Sequence, residues 1–553
     1  MAFRTLVAGL LLAVSAFAQM RVFPKPSYFR ETFKRPIQKV ELQAPVRLSD
    51  FQVDAADANG KPLLDANGRP VKKVELSLKN YLALVMSNHT DVQVQLLTLE
   101  TSQNSITSAK AIWDPKSVTV GFNPNWRTTS PWPNDPSGSV SKSQTWPISL
   151  SFNQQLPTGQ SINVSGSGSK SSSWGDYPSF GTSMSFGVTQ PLMKGRASYV
   201  VRYSLMSAQN SYKVTEFNLK DRIITTISSA ESLYWAAINA RETLRVREKA
   251  LATANANWDY VQRQFNLGAV SYLDTYSPQQ NVASAKVSLS QAQFNLRDAY
   301  DRLRRQIGAD LDPAFRNMEI SLTESVEVTP TEIITPDREQ TVQKALATLP
   351  SLMSTRQTLE FQDVTIAQRR DAMLPQFDLN LNYRGGGNGG YFADRFGTSV
   401  YPGGLGDALG QMFGWGSPSY TAGLTLTLPI RNRQTSMDLA NALITKKTQM
   451  LNLRSAEQNA RQSVGLALSS FENAKASLEL QKTALDFAQK DYDGKKLQYE
   501  LGSINLNFLV QQEQSLAQAE LSYVQAQVNV KTAYLNLLQT TGELLDARGI
   551  VIR

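Results

Sequence analysis

Two copies of one long unit organise this sequence. The stretch Leu267-Gly268-Ala269-Val270-Ser271-Tyr272-Leu273 returns as Leu501-Gly502-Ser503-Ile504-Asn505-Leu506-Asn507, and an offset of 234 carries one onto the other without a gap. Gln280 then falls on Gln514, Gln291-Ala292-Gln293 on Gln525-Ala526-Gln527, Tyr300 on Tyr534, Leu303 on Leu537 and Gly308 on Gly542. The period is too long for a solenoid of small repeats, so a whole supersecondary unit is duplicated.

Each glycine tip separates two runs with helical periodicity. From Ala197 to Leu267 there is neither Gly nor Pro, and Ala, Leu, Gln, Arg and Glu abound; these are good helix formers. Such a helix would span roughly 105 Å at ~1.5 Å per residue, which points to a coiled coil or bundle. The second copy runs from about Asn432 to Leu501. After the first tip, Val282, Ala285, Leu289, Ala292, Leu296, Ala299 and Leu303 form a heptad seam. The matching seam is Leu516, Ala519, Tyr523, Ala526, Val530, Ala533 and Leu537. That helix carries a second stripe, Ala517, Leu521, Val524, Val528, Leu535 and Leu538. Two stripes need neighbours on two sides, so a wider helical wall is implied.

Composition removes several chemistries. There is no Cys and a single His, His89. Disulfides, thiol catalysis and nearly all zinc or haem ligation therefore fall away, and no cofactor is expected. A net charge of +9 is dispersed along the helices without a nucleic-acid motif, so no nucleic-acid partner is expected. Nothing assembles a catalytic constellation, and the chain does not read as an enzyme.

Residues 1–18 resemble a secretory signal, with Arg4, an apolar centre from Leu6 to Val14 and Ala16-Phe17-Ala18 before the cut. Residues 19–75 read as an extended N-terminal arm, with Asn59-Gly60 and Asn67-Gly68 as turn signals. The first repeat spans 76–308, a linker 309–337, the second repeat 338–542 and a C-terminal tail 543–553. In each repeat a helix ends near a proline, Pro115 or Pro375, and the period changes to two. Val118, Val120 and Phe122 alternate with small polar residues, as do Met184, Phe186 and Val188, then Phe377, Leu379, Leu381 and Tyr383, then Tyr420, Leu424 and Leu426. Strands of about ten residues with one apolar face suit a membrane barrel, although a half-buried soluble sheet alternates the same way. Trp113, Trp126, Trp146 and Trp415 flank them as a girdle would. Residues 146–169 supply an extra strand-turn-strand without a counterpart in the second copy. The runs from Gly166 to Gly175 and from Gly385 to Gly390 read as surface loops.

Four core strands per chain cannot close a barrel, which needs about eight, and open edges are not tolerated in lipid. The chain would have to oligomerise; three copies of four strands give twelve. The tip motifs Leu267-Gly268-Ala269-Val270-Ser271-Tyr272-Leu273-Asp274 and its twin, Gln190-Pro191-Leu192 and Leu428-Pro429-Ile430 before the long helices, and the paired Pro115 and Pro375 resemble the TolC family of outer-membrane efflux proteins. That resemblance implies a mixed fold. Strand hairpins would contribute a membrane β-barrel, standing on a tunnel of long antiparallel α-helical coiled coils, internally duplicated and trimeric. It implies an outer-membrane exit duct reaching into the periplasm, partnered by outer-membrane lipid, a periplasmic adaptor protein and an inner-membrane transporter. A protein-secretion exit duct, or a pore-free periplasmic coiled-coil protein, are the alternatives.

By the same resemblance, adaptor docking falls on Leu267, Gly268, Ala269, Leu501, Gly502 and Ser503, and a periplasmic gate on Asp274, Asn507, Phe508 and Gln511. Many relatives carry acids six and nine positions after the second tip glycine; here those positions hold Phe508 and Gln511, against Asp274 and Ser277 in the first copy. An acidic ring from the second hairpin is therefore not expected. Phe508 either forms an apolar constriction or packs between helices. The tip glycines either admit a close backbone neighbour or permit the turn.

Overall fold

The computed structural model describes residues 52–54, 72–115, 117–129, 141–173, 178–268, 270–308, 319–329, 335–390, 392–394, 397–399, 403–414, 417–501 and 503–550. The signal segment, most of the N-terminal arm, Ala269, Gly502 and Trp415 lie outside them. The chain begins with strands β1 (Gln52–Asp54) and β2 (Lys72–Leu76) and helices α1 (Leu78–Asn88) and α2 (Thr90–Lys110). Strands β3 (Val118–Phe122), β4 (Asn125–Thr129), β5 (Ser141–Gln155), β6 (Ser161–Ser173) and β7 (Ser179–Pro191) follow. A short turn of helix, α3 (Ser198–Val201), leads into α4 (Tyr203–Asn266), the first tip and α5 (Tyr276–Gln306). The second copy runs through β8 (Glu319–Leu322), α6 (Arg338–Thr348), α7 (Pro350–Asp371), β9 (Gln376–Gly390), β10 (Phe392–Asp394), β11 (Gly397–Ser399), α8 (Leu405–Phe413) and β12 (Pro418–Thr427). Helix α9 (Arg433–Glu500), the second tip, α10 (Leu506–Thr541) and α11 (Leu544–Ala547) complete it.

The two long helices carry the architecture. At 64 and 68 residues, α4 and α9 are ~96 and ~102 Å long. In the half nearer the tips the packing order is α5, α4, α10, α9; in the half nearer the strands it is α2, α4, α7, α9. Both expected seams are covered, and in α10 the second stripe is covered too, because α10 lies between α9 and α4. Ala467, Leu468, Phe471, Val530 and Leu537 form one buried cluster between α9 and α10. The layer has two open edges. On one, Val94 and Leu97 of α2 and Val287 and Phe294 of α5 stay exposed; on the other, Ile444, Leu466, Leu480 and Phe487 of α9 do.

The helix before each strand region is broken once, at equivalent positions 260 apart. His89 (ψ 124°) separates α1 from α2, and Leu349 (ψ 118°) separates α6 from α7. The His89 ring Nδ1 accepts from Asp91 N at 3.3 Å, so the single histidine is a helix cap. Pro350 does the matching work as the first residue of α7. At this level β1, β2 and β8 make a small sheet, with β2 and β8 parallel. Arg241 of α4 donates to the Leu322 and Glu324 carbonyls at 2.7 and 3.1 Å, and the Tyr234 hydroxyl donates to Leu76 O at 2.9 Å.

The C-terminal turn is fastened to the middle of α4. Glu231 is fully buried and accepts from both Arg548 Nε (2.9 Å) and the Arg548 terminal nitrogen, and from Trp235 Nε1 at 3.2 Å. Lys531 lies 5.1 Å over the Trp235 ring.

The large sheet has the order β12-β9-β7-β6-β5-β3, with β4 also on β5. β3 pairs with 148–152 of β5 and β4 with 141–145, along the same edge, so seven strands make six lanes. Every lateral pairing is antiparallel. The extra hairpin of residues 146–169 stands inside this sheet, between β3 and β7.

Two sequence expectations fail here. Gly166–Ser173 is part of β6, and Gly385–Gly390 is the end of β9; neither is a loop. The reason at β9 is α8, which lies on the strand. A Cβ at Gly387 would stand 1.9 Å from the Ala408 carbonyl oxygen, and one at Gly389 2.5 Å from that of Gly404. Glycine is what lets a helix rest directly on this strand. Thr182 donates to Ala408 O at 2.8 Å and Gln411 Oε1 accepts from Asn388 N at 3.2 Å, fixing the helix in place.

Candidate functional site

The two helical tips lie side by side. At the first, Gly268 adopts φ +70° and its N–H donates to Phe265 O at 2.9 Å. Among the described residues, nothing beyond its chain neighbours lies within 4 Å of where a Cβ would stand, so the turn, not a close approach, requires this glycine. Asp274 is engaged in the turn: its Oδ2 accepts from Ser271 N at 3.1 Å, while Ser271 Oγ accepts from Leu273 N at 3.4 Å. The carboxylate thus caps the start of the next helix. At the second tip Ser503 N and Oγ both donate to Gln498 O, at 2.9 and 2.8 Å. Asn505 stands where the first copy has Ser271 and is the cap here, accepting from Asn507 N at 2.8 Å, while Phe508 takes the place of the acid.

A side-chain hydrogen bond joins the tips. Ser277 Oγ donates to Asn507 Oδ1 at 3.0 Å, which brings Asn507 of the expected gate against Ser277, the first-copy counterpart of Gln511, across 230 residues. Phe508 and Gln511 do not join them in a closed cluster. Phe508 is 60 % exposed, so within one chain it is not packed between helices. Leu267, Leu273 and Leu501 are also exposed, at 84, 74 and 75 %. Phe265, Tyr272 and Tyr276 stack beside them, with ring centroids 5.8 and 5.2 Å apart. The end of the helical layer is therefore an apolar, aromatic surface around a small polar link.

A polar cavity of about 300 Å³ lies above the tips, lined by residues that include Arg247, Asn257, Pro278, Asn281, Glu513 and Gln514. Burial pushes the Glu513 carboxyl up to about 7, although Asn257 Nδ2 donates to it at 2.8 Å. Nearby, Tyr260 and Tyr499 meet edge-on at 5.8 Å across α4 and α9. Glu513 was not among the expected site residues; its signal is an acid where the first copy has Gln279.

At the other end, the faces of the large sheet differ sharply. Val118, Val120 and Phe122 sit opposite Phe152, Leu150 and Ile148; Phe152 meets Val164, Val164 meets Phe186, Phe186 meets Tyr383 and Tyr383 meets Tyr420. Most of this row is solvent-exposed in the single chain. Trp126 and Trp146 stand edge-to-face at 5.7 Å on the same face. The opposite face carries lateral polar bonds: Ser165 to Ser185 (2.6 Å), Ser167 to Ser183 (2.8 Å), Thr189 to Asn380 (3.0 Å) and Asn380 to Thr425 (3.1 Å). Strands β12 and β3–β4 are its open edges. No group of acids and His that could hold a metal occurs among the described residues.

The profile of one protein family, described as outer membrane efflux protein, matches residues 161–309 and 341–543. No curated protein matched the sequence. Solved structures share the fold, and three of them are the following. The CmeC outer membrane channel of Campylobacter jejuni is 16 % identical with a TM-score of 0.57, over 84 % of this chain and 86 % of that one. The MtrE outer membrane channel of Neisseria gonorrhoeae, in its open state, is 16 % identical with a TM-score of 0.57, over 84 % and 89 %. The outer membrane protein VceC of Vibrio cholerae is 13 % identical with a TM-score of 0.56, over 84 % and 96 %.

Proposed function

Because this chain belongs to the outer membrane efflux protein family, and so is an outer-membrane channel that extends into the periplasm, we propose that three copies close into one continuous duct. The observation that carries this is the coincidence of open edges. One side of the chain ends in β3–β4, α2 and α5; the other ends in β12 and α9. Both expose large apolar side chains. β3–β4 and β12 run in opposite directions, so a head-to-tail contact between copies adds one more antiparallel pair and leaves no edge in lipid. The apolar face of the sheet then meets the acyl chains, and its polar face lines the lumen.

The duct passes substrates that a periplasmic adaptor and an inner-membrane pump deliver to the tips. The exposed leucines at 267 and 501, with Gly268 and Ser503 and the neighbouring Ala269 and Gly502, are the docking surface for the adaptor. Asp274, Asn507, Phe508 and Gln511 surround the periplasmic mouth. The exposed Phe508 supports an apolar constriction there, three rings excluding water from the closed opening. Native mass and single-channel recording of the detergent-purified chain test the reading. A trimer that inserts pores in lipid bilayers supports it, and a detergent-free monomer ends it. Replacing Phe508 with Ala should raise the conductance of the resting channel several-fold; an unchanged value removes the constriction.

A further inference from the structure

The four core strands of the duplicated plan would give twelve lanes in a trimer. The structure has six lanes per chain, because β5 and β6 stand within the sheet. Their register is unbroken, from Ser143 opposite Ser173 to Gln155 opposite Ser161, and onward from Ser161 opposite Thr189 to Ser171 opposite Ser179. The apolar row also continues through them. Ile148 and Leu150 are 54 and 45 % exposed on the face that carries Val120 on one side and Phe186 on the other. A hairpin projecting away from a membrane wall has no need to match its neighbours in register or in apolar face. The connection at 156–160 is also tied down: Leu156 N donates to Gln160 O at 2.8 Å, and Gly159 takes φ +89° with Gly195 O close by.

The polar face adds a second observation. Its described positions in β3 to β12 are Ser, Thr, Asn and Gly almost throughout. The charged exceptions among the described residues are Arg127, Asp378 and Arg384. Hydroxyl and amide groups bond laterally from β6 to β7, from β7 to β9 and from β9 to β12. Such a wall offers hydrogen bonds to any solute and carries little net charge.

We infer that the β5–β6 hairpin is built into the membrane wall, so that the trimeric duct opens through eighteen lanes, and that its neutral, hydroxyl-lined lumen sorts cargo by size and not by charge. This rests on the trimer proposed above. Barrel diameter grows roughly in proportion to strand number, so eighteen lanes give about 1.5 times the width of twelve. A lumen of this class stays water-filled, as in barrels of about 16–18 strands. The cargo it admits at the outer-membrane end is bulky hydrophilic or mixed solutes, anionic and cationic alike. A hairpin inserts one ascending and one descending strand, so the alternation at the copy-to-copy junction is kept.

Electron microscopy of the full chain in lipid nanodiscs reads the lane number directly. Eighteen strands in a trimer are expected. Twelve strands, with β5 and β6 outside the wall, overturn the inference and leave the duct standing; the absence of a trimer overturns the duct itself. Removing residues 141–173 joins β4 to β7 and should cut the largest polyethylene glycol admitted from the outer face to about two-thirds in radius; an unchanged limit counts against the inference. A second measurement does not depend on that deletion folding. The chain has no Cys, so Ser151→Cys and Leu150→Cys can be compared in intact channels. A membrane-impermeant thiol reagent should modify Ser151→Cys, and Leu150→Cys should be protected in lipid; equal labelling of both removes the hairpin from the wall. In a salt gradient the reversal potential should stay near zero, and a strong cation or anion preference that persists when Asp274 is replaced by Asn overturns the neutral lumen.

Discussion

Replacing Arg548 with Ala would strand a carboxylate in the middle of the helical layer. Glu231 has no exposed surface, and Arg548 supplies two of its hydrogen-bond donors. After the change Trp235 Nε1, at 3.2 Å, is left as a neutral donor. Breaking a buried pair from one side costs about 3–5 kcal/mol. The Arg548 side chain is 24 % exposed, so water can reach the vacated space, and the lower end, about 3 kcal/mol, is expected. That amounts to a roughly 150-fold rise in the open population of the C-terminal turn. Hydrogen exchange of α11 and of α4 around residue 231 reads this directly in the assembled protein. The double variant Glu231→Gln with Arg548→Met removes both charges and should recover most of the loss. A cost under about 1 kcal/mol for Arg548→Ala, or a double variant as unstable as the single one, would refute the reasoning.

Three further outcomes follow from geometry. Gly268→Ala should destabilise the first tip by about 1 kcal/mol or more, through φ and not through a clash, with Gly268→Asn milder; exchange rates at residues 263–275 test this. Gly387→Ala should dislodge α8 and open residues 403–414 to proteases while the sheet persists, whereas Gly386→Ala, whose Cβ would meet Thr182 O at an ordinary 3.6 Å, should leave α8 protected. Glu513 holds its proton in the folded state up to about pH 7, above the range of an unfolded carboxyl. The folded state therefore binds more protons between ~4.5 and ~7, so this group's contribution is complete below that window and is lost as pH rises through it. Thermal melting from pH 4 to 8 should show that decline, and Glu513→Gln should flatten it.

The long helices and their tips were legible because a run of some seventy residues without Gly or Pro, matched by a second broken only by Gly465 and Gly494, has few folds open to it, and because the tip is written twice. The breaks at His89 and Leu349 were harder to see. Each turns on one ψ angle, and only Pro350 marks either of them in composition. Strand alternation was visible, but the place of β5 and β6 was not, since pairing order is a non-local property that period-two patterns do not encode. The glycine run in β9 misled for a physical reason: an absent side chain signals a flexible loop or a helix lying on the strand, and here it was the second. Leu405, Leu409 and Phe413, spaced four apart, were the available signal for that helix. At the tips, residue identity located the turns, but the bond from Ser277 to Asn507 joins copies 230 residues apart and could not be read locally.

The clamp between Glu231 and Arg548 also sets an order of events. Its partners are 317 residues apart, so α11 has to dock on α4 before the pair can close. With α11 undocked, Glu231 lacks the two Arg548 donors, and closing α4 against its neighbours there means desolvating a carboxylate without them. Drying of the middle of the layer is therefore coupled to the docking of α11. Docking of that single turn of helix is what lets the half-way point of the helical stack dry out and set.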